Sequence, residues 1–160
     1  MAEETTAQPT QPMLSALAQY VKDLSFENPN APRSLQPREG EGPQINITVN
    51  VNATDTGESQ FQVDLHLEGS AKVGEDVLFA FDLTYGGIFR LANVPAEQVR
   101  PVVMVECPRL LFPFARQILA DAVRNGGFPP LYVDPIDFVG LYNQALHNEA
   151  GQAAQGQAAA

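Results

Sequence analysis

The stretch "INITVNVNAT", residues 45–54, alternates at every position. Ile45, Ile47, Val49 and Val51 fall on one side, and Asn46, Thr48, Asn50 and Asn52 on the other. A helix would scatter these side chains at 100° per residue, whereas a strand sorts them onto two faces. The same period recurs in "FQVDLHLEGS" (61–70), where Phe61, Val63, Leu65 and Leu67 oppose Gln62, Asp64, His66 and Glu68. It returns in "DVLFAFDLTYGGIF" (76–89), with Val77, Phe79, Phe81, Leu83 and Tyr85 on one face. The turn-rich segments "TDTGES" and "AKVGED" separate these runs, which predicts an antiparallel meander with one apolar and one wet face.

After the meander the period becomes helical. Pro95 in "VPAEQV" marks a helix start, and Pro101 and Pro108 are expected to break or kink the chain beyond it. A helix from Arg109 runs to "RNGGFPP", where Gly126, Gly127 and Pro129 stop it. A second begins near Pro135 in "DPIDFVGLYNQALHNE", with Phe138, Leu141, Tyr142 and Leu146 on its apolar side. "MLSALAQYVKDLSFE" (13–27) places Leu14, Leu17, Ala18, Val21 and Leu24 at helical spacing, so periodicity alone favours a helix there. "NPNAPRSLQPREGEGPQ" (28–44) reads as a long irregular crossing loop. Residues 1–12 read as a disordered arm, 13–148 as one folded domain, and 149–160 as a disordered low-complexity tail of Ala, Gln and Gly.

In "CPRLLFPFARQIL", which begins at Cys107, the apolar arc is too wide for one contact. Stepping 100° per residue, Leu110, Leu111, Phe112, Phe114, Ala115, Ile118, Leu119, Ala122 and Val123 cover roughly 220° of the helix. One sheet face occupies about 100° of such a surface. Each Phe or Leu left in water forfeits roughly 1.5 to 3 kcal/mol. The excess therefore calls for a second copy of the chain, with Leu110, Leu111, Phe114, Ile118 and Leu119 as the expected oligomer interface.

Composition bounds the function. The 160 residues carry a formal charge of −10, which argues against nucleic acid and for basic partners. No apolar run approaches a membrane span, the opening lacks the pattern of a signal peptide, and a lone cysteine leaves no internal disulfide, all of which suit the cytoplasm. Cys107 stands near a helix start, but Glu106 beside it raises its pKa, so it reads as a structural thiol rather than a nucleophile. His66 and His147 have no second ligand nearby in sequence, and no metal site is expected. There is no nucleotide-binding or hydrolase motif, so the chain is not expected to be an enzyme. Asp64, Glu68 and Asp82 line the wet side of the meander, either as plain solubilising charge or as a dock for a basic partner.

Four segments in order, "KDLSFENPNAP", "YGGIFRL", "CPRLLFPFAR" and "GGFPPLYVDPIDFVGLY", closely resemble the bacterial protein-export chaperone family SecB, from about Leu14 to Leu146. The resemblance implies an α+β fold, a four-stranded antiparallel sheet with helices packed on one face, assembled as a homotetramer (a dimer of dimers). It turns residues 13–27 from helix into the first strand. It implies a holdase without ATP or metal of its own, which keeps unfolded precursor proteins translocation-competent and delivers them to the SecA motor. Carried over by position, SecA docking falls on Asp23, Glu27, Ala80 and Asp82; the family usually has Leu and Glu at the last two. Client binding falls on Leu35 in the crossing loop, Ile45, Ile47 and Val49 on a strand, and Phe138, Leu141 and Tyr142 on the last helix. Some members carry a Trp in the crossing loop, and this chain has none. Two other readings remain open beside general export: a SecB-like chaperone dedicated to one partner such as a toxin–antitoxin pair, and a thiol-dependent enzyme built on Cys107.

Overall fold

The computed structural model describes residues 11–40 and 42–158. Four strands, β1 (Met13–Glu27), β2 (Gln44–Gly57), β3 (Gln60–Val73) and β4 (Asp76–Ala92), form one antiparallel sheet in the order β1-β4-β3-β2. The three alternating segments are thus consecutive hairpins, and the crossing segment carries the chain from β1 on one edge to β2 on the other. Two tight turns make the hairpins. Gly57, Glu58 and Ser59 at the first, and Gly74 at the second, have positive φ.

The first strand that the resemblance implied over residues 13–27 is present, in place of the helix that periodicity alone favoured, and the register shows why the periodicity misled. Pairing with β4 shifts at Ala16/Ala18 and at Val21/Asp23, so Leu17 and Lys22 are extra residues on β1. The side chains sharing a face with Leu91, Phe89, Gly87, Tyr85, Leu83 and Phe81 are therefore Leu14, Ala16, Gln19, Val21, Leu24 and Phe26. Two bulges stretch a period of two toward the spacing of a helix.

Helix α1 (Ala96–Pro101) starts after Pro95 and leads through a π-helical stretch, Val102–Glu106, into α2 (Cys107–Asn125). The expected break between Pro101 and Pro108 is a widening of the helix rather than an interruption. A proline lacks the N–H for the fourth carbonyl before it and crowds that carbonyl, and a wider turn relieves both. Gly126 closes α2 and leaves room for the ring of Phe26 against it. Helix α3 (Phe138–Ala158) begins after Asp137, whose carboxylate accepts the Gly140 N–H at 3.0 Å, three residues later than the sequence suggested. It runs on through Gly151 and Gly156 to Ala158, where a disordered tail was expected from 149. The arm expected over 1–12 lies outside the described residues except Gln11 and Pro12.

The core lies between the inner face of the sheet and α2. Val63, Leu65, Leu67, Leu83 and Phe89 from β3 and β4 meet Leu111, Ala115, Leu119 and Val123, all fully buried. At one end of the sheet Phe26, Phe79 and Phe128 pack together, with ring centroids 4.9 Å apart for Phe79 and Phe128. The start of the crossing segment is pinned nearby. Asn28 Nδ2 donates to the Gly126 carbonyl at 3.1 Å, Asn30 Nδ2 to that of Val77 at 2.9 Å, and Ser34 Oγ to Asn28 Oδ1 at 2.5 Å.

Candidate functional site

The two edge strands differ from the interior pair in what covers their inner faces. Helix α2 lies across β4 and β3. On β2, Ile45 remains 40% exposed, and Ile47, Val49 and Val51 are only partly covered. Helix α3 stands beside this strip over the π-helical stretch, leaving two adjoining hollows. The smaller, about 130 Å³, is lined by Val49, Val51, Met104, Leu141, Tyr142 and Ala145. The larger, about 450 Å³, continues past Val51, Phe61, Val99 and Val103 to the Arg100–Glu149 ion pair at 2.9 Å.

Of the residues expected in a client groove, Val49, Leu141 and Tyr142 therefore meet in one place. Ile45 and Ile47 lie on the same inner strip but toward the Phe26–Phe79 end. Leu35 rests there on Gly127, 2.9 Å from where a Cβ would stand. Phe138 is 2% exposed and packs edge-on to Phe112, so it belongs to the subunit's own core and not to a groove wall. Met104, Val99, Val103 and Ala145 were missed. Val51 stood in the alternating run as a continuation of Val49, but nothing in sequence tied "VVMVE" to the floor of a groove.

The outer face of the sheet is polar. Register places Glu27 opposite Ala80 and Ser25 opposite Asp82 on β1 and β4. Asp82 stands opposite Glu68 on β3, which stands opposite Thr48 on β2. An open hollow of about 530 Å³ collects Ser25, Glu27, Thr48, Glu68, Ala80 and Asp82. Asp23 pairs with Thr84 one row further along. The four positions expected to dock a partner therefore share one face, and the acidic residues expected on the wet side stand there with them. Lys22, the second bulge residue of β1, reaches over to Asp64 with its Nζ 2.8 Å from Oδ2, and that contact raises the lysine pKa.

Helix α2 divides the expected oligomer surface. Leu111 and Leu119 are fully buried against the sheet and cannot reach a partner, because they sit at the centre of the arc that faces the core. Leu110 (44% exposed) and Phe114 (52%) point away from it, and Ile118 is intermediate. Val21 and Leu24, on the inner face of β1, are also exposed because α2 only brushes that strand. Cys107 is fully buried, and burial, with Glu106 adding to it, pushes its thiol up to about 12. A thiol so held stays protonated at neutral pH, the form that is a poor nucleophile.

No helix among the described residues is long and apolar enough to cross a membrane. A family model described as preprotein translocase subunit SecB matches residues 7–149. The protein-export protein SecB of Azorhizobium caulinodans is 62% identical over 141 residues, covering 88% of each chain. That of Beijerinckia indica is 58% identical over 158 residues, covering 97% of this chain and 98% of its own. Among solved structures, a SecB-like chaperone of Mycobacterium tuberculosis, in complex with a peptide from an antitoxin, shares the fold with a TM-score of 0.64. It is 12% identical and covers 78% of this chain and 91% of its own. With a family model matched over most of its length and relatives about 60% identical over nearly the whole chain, the chain belongs to the SecB family of protein-export proteins.

Proposed function

We propose that this protein is an ATP-independent holdase of protein export, active in the cytoplasm as a homotetramer built as a dimer of dimers. The observation that carries this reading is the partly covered apolar strip of β2 beside Met104, Leu141 and Tyr142. An apolar groove with few polar groups discriminates poorly between sequences and accepts exposed hydrophobic segments, which unfolded precursors present and folded proteins hide. Family membership supports export as the destination. Several grooves on one assembly turn weak contacts into avidity.

Assembly is supported by the exposed row of Leu110, Phe114, Val21 and Leu24, four large apolar side chains each about half in water, which forfeits on the order of 1 kcal/mol apiece. Delivery to SecA is assigned to the outer face, where Asp23, Glu27 and Asp82 present negative charge to a basic partner beside the small apolar Ala80. Asp82 keeps the charge the family usually has there, and Ala80 offers less apolar contact than the usual Leu.

The test joins mass and activity. Light scattering should give four chains per particle, and the protein should delay refolding of a slow-folding precursor without nucleotide. A strict monomer, or refolding at the unassisted rate, overturns the reading. If holding persists but no SecA is bound, the chaperone serves a dedicated partner instead.

A further inference from the structure

We infer that His66, Glu68 and Asp82 form a binding site for a divalent transition-metal cation, with zinc as the ion the donor set fits best. His66 and Glu68 are two residues apart on β3 and so share its outer face, and Asp82 stands directly opposite Glu68 on β4. One ligand atom from each lies within 4.8 Å of the others, and His66 Nε2 is 2.8 Å from Asp82 Oδ1. Zinc holds nitrogen and carboxylate oxygen at about 2.0–2.2 Å, so donors around one ion stand roughly 3 to 3.5 Å apart. The three side chains need only small rotations to reach that spacing. β3 and β4 are the two interior strands, so the backbone carrying the donors is held on both sides.

Charge points the same way. Two carboxylates directly opposite each other on neighbouring strands repel. Among the described residues neither forms an ion pair with a lysine or arginine, and Lys22, on the same face, is engaged by Asp64. Among the described residues the imidazole is the only group within ion-pair distance of Asp82, and Glu68 has none. A divalent ion would relieve this repulsion while leaving the fold unchanged. One imidazole nitrogen with two carboxylates suits zinc better than calcium or magnesium, which take oxygen alone, and better than soft ions that need thiolate. The open hollow above Glu68 and Asp82, also lined by Ser25 and Thr48, leaves room for water to complete the coordination. On binding, the proton of a neutral imidazole resides on Nδ1, freeing the Nε2 lone pair for the ion.

The site shares a face with the proposed SecA dock but does not depend on it, because it is tested on the chaperone alone. Isothermal titration of the full chain with zinc chloride should show one ion per chain. Titration with cobalt chloride should shift and intensify the visible d–d absorption relative to the free aquo ion. Both signals should be lost in His66→Ala and in the near-isosteric Asp82→Asn, with circular dichroism unchanged, and retained in His147→Ala and Cys107→Ala. No stoichiometric uptake by the unaltered chain, or uptake that survives both His66→Ala and Asp82→Asn, overturns the proposal.

Discussion

The ring of Phe114 on α2 stacks over that of Tyr85 on β4, with centroids 6.3 Å apart and planes 25° from parallel. Tyr85 is buried by this stacking while half of Phe114 stays in water. Val21 stands beside Tyr85 on β1, so the three make one apolar strip that ends in the open. Such a strip closes the core on one side and offers a surface on the other.

Phe114→Asp is therefore expected to lower the mass of the assembly. The ring stacking it removes within the subunit is worth about 0.5 to 1.5 kcal/mol, too little to unfold it. Light scattering should show smaller particles with unchanged circular dichroism. Particles of unaltered mass would remove Phe114 from the interface.

In the groove, Tyr142→Ala and Met104→Ala should each weaken client holding about ten- to hundredfold, the equivalent of roughly 1.5 to 3 kcal/mol per apolar side chain. Both residues are outside the buried core, so the assembly should persist. Client affinity by fluorescence anisotropy with a labelled unfolded precursor decides this. Equal affinity for both variants and the unaltered chain would place client binding elsewhere.

On the outer face, Asp82→Lys should reduce SecA binding and flatten its salt dependence, because a negative contribution to a polar dock becomes positive. Client holding on the opposite face of the sheet should be unaffected. A SecA affinity that does not move with this change or with salt argues against the dock.

Core truncation gives a calibration. Phe89 is fully buried under α2, and Phe89→Ala should cost about 3 to 5 kcal/mol of stability by urea unfolding.

Cys107 makes a pH prediction. The folded chain keeps its thiol protonated up to about 12, while the unfolded chain releases the proton near 8.5. Between those values the folded state binds more protons, so this residue's contribution to stability is present below the lower value and is lost as pH rises through the window. The urea midpoint of the unaltered chain should fall more steeply above pH 9 than that of Cys107→Ala. The variant should also retain full holding activity, which would dispose of a thiol-dependent enzyme.

Alternation in residues 45–54, 61–70 and 76–89 was enough to place β2, β3 and β4 and to say which side of each was wet, because a strand sorts neighbours without help from the rest of the fold. The exception is Val77, expected on the apolar face, which a bulge at Leu78 sets opposite Lys72 on the outer one. Position-by-position carry-over likewise put Asp23, Glu27, Ala80 and Asp82 on what proved a single face. The width of the apolar arc on α2 was legible too, but not its division. Which leucines face the sheet depends on how the helix is laid across it, and Leu111 and Leu119 went inward while Leu110 stayed out. Strand β1 was hidden from periodicity, because two bulges stretched its period, and was legible only through the family resemblance. Only tertiary structure brought Met104 under Tyr142, and only cross-strand pairing set Asp82 opposite Glu68 and within reach of His66. A single sequence records spacing along the chain; register and packing decide which distant residues become neighbours.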